Sequence, residues 1–246
     1  MASGTFRKLI NFRDCAHGSM RPNRILRSES LYKLPSADQT TLLEKYGLKV
    51  IVDLRTVQEA GDKPDVVPAG VTYRHIPLIT MEEMGSANEK EAKRLILKER
   101  RLPDIYDYYR RFVLPERKKA WNEIFDCLLQ QENGSILFHC TVGKDRTGIV
   151  STMVFYALGL DEKDIYDEYL KTNDNPVIPF AYKVFSWFLG RRLRKEFMEY
   201  FKAKKEYLDA TLEHAKTLYG SIDGFLEEIC GLTPEKRARL EELYLG

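Results

Sequence analysis

The residues with the clearest chemical potential lie in one uninterrupted stretch, CTVGKDRTG at 140–148. A short apolar run at 135–139 precedes it and predicts a strand, and the apolar pattern at 147–158 predicts a helix. A loop between a strand and a helix turns backbone N–H groups toward a common point, and the start of the helix adds a partial positive charge. The stretch therefore predicts a site for an anion.

The side chains of this loop fit such a site. Gly143 permits a backbone conformation that a Cβ atom resists. Arg146 can donate two parallel N–H bonds to an oxyanion, and Lys144 adds a point charge. Cys140 is expected to ionise near neutral pH, because a helix N-terminus and nearby cations bring a thiol pKa from about 8.5 to roughly 3.5–7.5. A thiolate beside a phosphate is an in-line nucleophile, and a hydrogen bond from Thr147 would improve it as a leaving group.

Two other interpretations of the loop are weaker. A nucleotide-binding GxxxxGK[ST] loop needs a glycine where Phe138 stands and a hydroxyl residue where Asp145 stands. A free cysteine at a strand end is often only a buried packing residue. The glycine and the cations beside Cys140 favour chemistry over packing.

Composition, charge and cysteine content restrict the class of protein. The 246 residues are 43% hydrophobic and 31% charged, as expected for a folded chain with a large core. Because 39 Lys+Arg against 37 Asp+Glu leave a net charge of +2, general affinity for nucleic acid is not expected. There is no apolar run of about 18 residues and no signal-peptide pattern. The four cysteines form no CxxC pair, so we expect a reducing, cytoplasmic setting rather than a disulfide framework or a zinc site.

The elements that must position the loop alternate between strands and helices. This alternation predicts a three-layer α/β fold with a mainly parallel central sheet flanked by helices, and ligands bind such sheets beyond the carboxyl ends of the strands. We expect a single domain over 1–246 with a helical C-terminal half. The individual predictions are a hairpin ending at 24–27, a helix at 36–47 capped by Ser36 and closed by Gly47, strands at 49–54, 71–78 and 135–139, and mostly helical segments at 81–131 and 161–246.

The segment HCTVGKDRTG resembles the signature of Cys-dependent protein tyrosine phosphatases. More narrowly, the chain is similar to the atypical bacterial and fungal branch of that family, some members of which also act on phosphoserine, phosphothreonine and phosphoinositides. The likeness covers essentially the whole chain, and one departure is Cys15-Ala-His17, where the branch usually has a Gly-Gly turn. The matching motifs are NFRD at 11–14, LRS at 26–28, DLR at 53–55 with Glu59, YRHIPL at 73–78 and YGS at 219–221.

The resemblance implies a tyrosine-phosphatase-like fold and hydrolysis of phosphate monoesters without a metal or other cofactor. Cys140 would be the nucleophile and would form a cysteinyl-phosphate, which water then hydrolyses. Arg146 would bind the phosphate and the transition state. The rest of the phosphate site would consist of Thr141, Val142, Gly143, Lys144 and Asp145, with Thr147, His139 and Arg55 in support.

The leaving oxygen needs a proton from a general acid within about 3 Å, directly or through one water. The chain lacks a WPD-like element, which leaves Asp145 inside the loop and Asp53 at the end of the second predicted strand. Asp145 is favoured because the loop itself places it beside the phosphate. The alternative for Asp53 is a purely structural role, as the ion-pair partner of Arg55 or Arg27. Arg55 is expected to orient a carboxylate or extend the anion site, and His139 to shape the loop through its backbone.

The segment 175–207 is rich in aromatic and basic residues. It is interpreted either as a helical pair packed on the sheet with a solvated basic face, or as a helical lid over the pocket or a surface for anionic lipid. The family resemblance favours the helical flap and makes peripheral membrane contact a prediction. The sequence does not predict an oligomeric state.

Phosphotyrosine proteins are the first expected substrate class. Phosphoinositides are the second, because a multiply charged headgroup gains from Lys144. Two alternatives stay open. One is a sulfur-transfer or arsenate-reducing enzyme that uses the same kind of thiolate, and the other is a catalytically inactive phosphate-binding module. The intact cysteine and arginine favour an active enzyme over the inactive module.

Overall fold

The structure is a computed structural model that describes residues 6, 9–83, 98, 102, 104–174, 187 and 191–246. Its strands are β1 (Arg13–Asp14), β2 (Ile25–Ser28), β3 (Leu48–Asp53), β4 (Thr72–His75) and β5 (Ser135–His139). They form one sheet in the order β1-β2-β5-β3-β4. Only β1 is antiparallel to its neighbour, and the other pairs are parallel. The mainly parallel sheet predicted from the sequence is confirmed.

Helices account for most of the remaining described residues. Short 3₁₀ turns at Arg111–Val113 and Pro115–Arg117 lead into the fourth of these helices. The helices are α1 (Ser36–Glu44), α2 (Val57–Asp62), α3 (Ile105–Arg110), α4 (Lys118–Gln130), α5 (Asp145–Ala157), α6 (Glu162–Leu170), α7 (Arg191–Tyr200), α8 (Lys205–Tyr219), α9 (Ile222–Glu228) and α10 (Pro234–Tyr244).

The sheet separates two apolar clusters, which makes the fold three-layered. Successive strand residues point to opposite faces, and in β5 Ile136 and Phe138 belong to the larger cluster while Leu137 belongs to the smaller one. The larger cluster holds apolar residues of α4, α5 and α8. Leu42 of α1 lies in the smaller cluster on the other face. Because β5 is buried on both faces along its whole length, its carboxyl end is fixed from both sides.

Two local predictions differ from the structure. Ser36 was expected to cap α1, but it is the first helical residue and Pro35 stands at the cap position without a side-chain hydrogen bond. The fixed φ of proline is compatible with that position, so the helix starts without a side-chain cap. The strand expected at 71–78 is limited to Thr72–His75, where the backbone pairs with β3.

The segment 175–207 is described only at Trp187 and from residue 191 onward, so its prediction as a lid lies partly outside the described residues. Within it, α7 buries Leu193 and Phe197 against Leu102 and Phe201. The helical prediction for 81–131 is likewise described only at 81–83, 98, 102 and 104–131. Among the described helices, not one is long and apolar enough to cross a bilayer.

Candidate active site

The predicted anion loop lies at the carboxyl end of the central strand. β5 pairs with β2 on one side and with β3 on the other, and it ends at His139. The Leu54 amide donates to the His139 carbonyl at 2.9 Å, and the Ser30 amide donates to the Thr141 carbonyl at 3.3 Å. Both edges of the loop entrance are therefore tied to neighbouring strand ends, and Cys140 is 2% exposed at this point.

Two side chains from the N-terminal part of the chain hold the carbonyl groups of the loop. Asn11 Nδ2 donates to the carbonyls of Val142 (3.1 Å) and Gly143 (2.8 Å). Arg27 Nη2, on β2, donates to the carbonyls of Gly143 (2.7 Å) and Lys144 (3.3 Å). The N–H and C=O of a trans peptide point in opposite directions. The amides of the next residues are therefore turned away from Asn11 and Arg27, as an anion site on the loop requires.

Gly143 is required by the close approach of β2. Its φ is +67°, and a Cβ added there would lie 2.3 Å from the carbonyl oxygen of Ser28. A side chain at this position would have to push the loop away from the strand. The absence of a side chain thus lets the loop lie directly against the backbone of β2.

Arg146 is held by a carboxylate from α2. Its Nη1 lies 2.5 Å from Glu59 Oε2, and its Nη2 lies 2.9 Å from Glu59 Oε1. Thr141 Oγ1 donates to Glu59 Oε1 at 2.5 Å, so one carboxylate joins both ends of the loop. Burial opposes ionisation, but the hydrogen bond and charge of Arg146 lower the pKa of Glu59 to about 2. The fork fixes the plane of the guanidinium beside Cys140.

The Cys140 thiol lies in a field that favours its anion. Burial opposes ionisation, but the positive charge of Arg146 and the nearby hydroxyl and amide of Thr147 lower the pKa of the thiol below its ordinary value. Cys15 and Cys230, which are also buried, have their pKa values raised, mainly by burial. The loop therefore distinguishes Cys140 from the other buried cysteines.

Asp145 lies at the first residue of α5, and its side chain is 20% exposed. The Tyr109 hydroxyl donates to Asp145 Oδ1, and Lys144 Nζ lies 3.3 Å from the same oxygen. Lys144 Nζ also donates to the backbone carbonyl of Phe201 at 3.1 Å. The ammonium of Lys144 is thus shared between the loop and the residue that follows α7.

Asp53 belongs to a buried network beneath the loop. Arg55 Nη2 lies 2.6 Å from Asp53 Oδ2 and 2.9 Å from Asp65 Oδ2. Tyr73 donates to Asp53 Oδ2 at 2.8 Å. Burial opposes ionisation, but hydrogen bonds from Arg55 and the charges of His139 and Arg55 hold the pKa of Asp53 well below its ordinary value. Arg55 therefore contacts two carboxylates, and its role at the anion site stays a prediction.

His139 joins this network to the loop. Its Nδ1 lies 3.2 Å from the Cys140 carbonyl, and its Nε2 lies 2.9 Å from Asp65 Oδ2. Burial opposes its protonation, but the hydrogen bond and charge of Asp65, with the charge of Asp53, raise the pKa of His139. His139 is fully buried, and its role in shaping the loop stays a prediction.

The structure thus brings the loop residues 140–147 together as expected and adds residues that were not predicted to act there. The sequence offers two signals for Glu59: the motif that it forms with DLR at 53–55, and its spacing from Thr56, which is that of the capping box present at the start of α2. No pattern in the sequence singles out Tyr109 from the neighbouring tyrosines. The unpredicted contributors are Asn11, Arg27, Glu59 and Tyr109.

Comparison with known proteins decides the family. A model described as the tyrosine phosphatase family matches residues 5–246, nearly the whole chain. The chain belongs to this family. The resemblance inferred from the motifs is confirmed, and the chain is accordingly a Cys-dependent phosphatase.

Two relatives of this phosphatase are bacterial. The triple specificity protein phosphatase PtpB of Mycobacterium tuberculosis is 29% identical over 272 aligned residues, which cover 96% of this chain and 96% of that protein. A tyrosine-protein phosphatase of Nostoc commune is 28% identical over 157 residues, which cover 63% of this chain and 50% of that protein. Among solved structures, the core catalytic domain of the PP-IP phosphatase SIW14 from S. cerevisiae is 16% identical with a TM-score of 0.37. That match covers 80% of this chain and 94% of the SIW14 domain.

Proposed function

We propose that this phosphatase hydrolyses phosphate monoesters with Cys140 as nucleophile and the loop 141–146 as the phosphate site. The observation that carries the proposal is the position of the thiol. Cys140 lies at the carboxyl end of β5, and its thiol has a lowered pKa beside a guanidinium that Glu59 holds in place. A thiolate and a bidentate donor on one loop can bind a phosphate and attack it in line.

The proposed reaction has two balanced steps. In the first, Cys140 Sγ attacks phosphorus, the bond from phosphorus to the ester oxygen breaks, and Asp145 gives its proton to the leaving oxygen. In the second, water attacks the cysteinyl-phosphate, the S–P bond breaks, and the Asp145 carboxylate takes a proton from the water. Arg146 stabilises the equatorial oxygens in both steps, and Thr147 stabilises the thiolate that leaves.

Asp145 supports the role of general acid better than Asp53 does. Asp145 is partly exposed on the loop itself. Asp53 is fully buried, and its carboxylate binds Arg55 and Tyr73, which stabilise the ionised form. Both oxygens of Asp53 accept hydrogen bonds from Arg55 inside the fold, whereas the Tyr109 hydroxyl engages only Oδ1 of Asp145.

Phosphotyrosine proteins are the first proposed substrates, and phosphoinositides are the second. Lys144 supports the second class because its charge lies on the loop, next to Asp145. The similarity to a phosphatase named for triple specificity favours more than one substrate class for this chain. Family membership favours phosphoryl transfer over sulfur transfer, and the intact Cys140 and Arg146 favour an active enzyme over a binding module.

Membrane contact and a cytoplasmic location stay predictions. Support for contact with anionic lipid comes from the described part of 175–207. Arg191, Arg194 and Lys195 are exposed on α7, and Trp187 is 69% exposed. Basic residues with an exposed tryptophan are typical of surfaces that bind anionic membranes.

The decisive variant is Cys140→Ser. We expect its turnover of para-nitrophenyl phosphate, a phosphotyrosine peptide and a phosphoinositide to fall by roughly 10⁴-fold or more, because the covalent nucleophile is lost. Binding of inorganic phosphate, measured by calorimetry, should be retained. Cys127→Ser, at a partly buried cysteine of α4, is the matched control and should keep full activity. Unchanged turnover in Cys140→Ser would exclude the proposed mechanism.

A further inference from the structure

A buried pair of tyrosines meets the proposed general acid. Tyr109, on α3, is fully buried, and its hydroxyl donates to Asp145 Oδ1. The hydroxyl of Tyr169, on α6, lies 2.7 Å from that of Tyr109. Each hydroxyl has a single hydrogen. Because Tyr109 gives its hydrogen to Asp145, Tyr169 has to donate to Tyr109, so the three groups form a directed chain that ends at Oδ1.

The packing around Tyr109 keeps this chain in one orientation. Its ring lies 5.9 Å from that of Phe112 and 5.5 Å from that of Tyr207, and Thr211 donates to its backbone carbonyl at 2.9 Å. Burial and the charge of Asp145 raise the pKa of Tyr109 well above its ordinary value. The hydroxyl therefore remains a hydrogen-bond donor across the pH range in which a phosphatase is assayed.

The two oxygens of Asp145 are not equivalent. Tyr109 donates to Oδ1, and Lys144 Nζ lies 3.3 Å from the same atom. Within the described residues, Oδ2 receives no hydrogen bond from a side chain. A proton is less stable on an oxygen that already faces a hydroxyl hydrogen and an ammonium, because it would compete with both donors for the same lone pairs.

We propose that Tyr109 is a positioning residue that directs the transferable proton of Asp145 to Oδ2 and turns that oxygen toward the leaving group. The inference rests on the proposed role of Asp145 as general acid. In the first step, Oδ2 loses its proton to the ester oxygen as the P–O bond breaks. In the second step, the same oxygen takes a proton from the attacking water, so one orientation of the carboxyl serves both steps.

A positioning role of Tyr109 can be distinguished from a structural role, because only the positioning role makes the loss of activity depend on the leaving group of the substrate. Phenyl phosphate needs a proton on its leaving oxygen, whereas 2,4-dinitrophenyl phosphate releases a phenolate that is stable without one. The quantity to measure is kcat/KM for both substrates, because it reports transfer of the phosphoryl group to Cys140. The ratio of the two values does not change with the fraction of folded enzyme, so it isolates the proton transfer.

We expect Tyr109→Phe, which keeps the ring, to lower kcat/KM for phenyl phosphate about 10-fold and to leave 2,4-dinitrophenyl phosphate within about 3-fold. Asp145→Asn should lower the phenyl phosphate value about 100-fold with the same selectivity. Tyr244→Phe is the matched control. It removes the hydroxyl of a fully buried tyrosine that donates to the Leu128 carbonyl at 2.9 Å, outside the chain that ends at Asp145, and it should stay within about 3-fold of the wild type on both substrates.

The outcomes distinguish the two hypotheses. If Asp145→Asn is selective for phenyl phosphate but Tyr109→Phe is not, the positioning role is wrong and the general acid stands. Equal losses on both substrates in Tyr109→Phe would also overturn the positioning role, since they show only a structural effect. If Asp145→Asn itself lacks selectivity, the assignment of the general acid is wrong, and the role of Cys140 is judged by its own variant.

Discussion

At the scale of single residues, the side chains proposed to react are held in place by side chains that take no part in the reaction. Cys140 and Arg146 come from the loop, but Glu59 fixes the guanidinium and Asn11 fixes the loop carbonyls. An arginine binds a phosphate well only when its fork is already oriented, because the cost of ordering it has then been met by the fold. The holding residues are therefore expected to affect catalysis without touching the substrate.

Glu59→Gln tests this expectation. Glutamine keeps an acceptor for the Thr56 amide, so the capping box at the start of α2 can persist. It removes the negative charge that faces Arg146, and breaking one side of an ion pair is costly when, as here, the partner that remains is buried. We expect kcat/KM on a phosphotyrosine peptide to fall about 10- to 100-fold, with weaker binding of inorganic phosphate in calorimetry.

Glu132→Gln provides the control for Glu59→Gln. Glu132 pairs with Arg239 at the surface, where its side chain is 68% exposed, and such pairs contribute little. The activity of Glu132→Gln should match that of the wild type. Full activity in Glu59→Gln would show that Arg146 is oriented without this carboxylate.

At the scale of elements, the loop depends on how closely α5 and β5 lie against β2. Arg27 of β2 donates to the loop carbonyls, and the Ser28 carbonyl occupies the space where Gly143 would carry a side chain. Parallel strands bring these carboxyl ends to one edge of the sheet. The loop conformation is thus determined by the neighbouring strand as well as by its own residues.

Gly143→Ala tests this contact between elements. The added methyl group would meet the Ser28 backbone at 2.3 Å, so the loop has to move. We expect a loss of at least about 100-fold in kcat/KM, together with destabilisation measured by urea unfolding.

Gly70→Ala separates the clash from the backbone conformation. Its φ is +79°, close to the value of +67° at Gly143, but an added Cβ would meet no atom within 4 Å. Both alanine variants carry the cost of a left-handed residue, about 1 kcal/mol. Only Gly143→Ala should lose activity. Equal activities in the two variants would contradict the proposal that the close contact with β2 determines the loop conformation.

At the scale of the whole molecule, a buried carboxylate joins the N-terminal strands to the helical half. Glu168 of α6 lies 2.6 Å from Arg13 Nε, 3.3 Å from Arg27 Nη1 and 3.4 Å from His17 Nε2. Burial opposes ionisation, but the hydrogen bond with His17 and the charges of Arg27 and Arg13 lower the pKa of Glu168 to about 2. Since Arg27 also holds the loop, this carboxylate supports the active site from a distance.

The lowered pKa of Glu168 predicts how stability depends on pH. Its pKa is lower in the folded chain than in the unfolded chain, where it is about 4.3, so its contribution is present above that value and is lost as the pH falls toward 2. We expect Glu168→Gln to be destabilised by roughly 3 kcal/mol at pH 7, measured by urea unfolding. The difference from the wild type should shrink between about pH 5 and pH 2.

Asp223→Asn is the control for Glu168→Gln. Asp223 is 75% exposed and pairs with Arg237, so its loss should change stability little at any pH. If the difference between Glu168→Gln and the wild type stays constant down to pH 2, the ion pair at Glu168 does not contribute in the proposed way.

Much of the fold and of the site could be predicted because the signals are local. The bounds of β5 at Ser135–His139 agree with the apolar run, and Cys140, Gly143 and Arg146 lie at the strand end as expected. A strand, a loop and a helix that are adjacent in sequence carry their own periodicity and turn residues. The prediction that Ser36 caps α1 was wrong, because proline and serine both suit the first turn of a helix.

The sequence by itself determined the family, the mainly parallel sheet and the loop that bears the thiol. Only the tertiary structure decided which side chains hold that loop. Asn11, Glu59 and Tyr109 lie 132, 87 and 36 residues from the loop residues that they bind. Contacts over such separations follow from how the helices pack on the sheet, and no short-range pattern of residues encodes which asparagine, glutamate or tyrosine the packing brings to the loop.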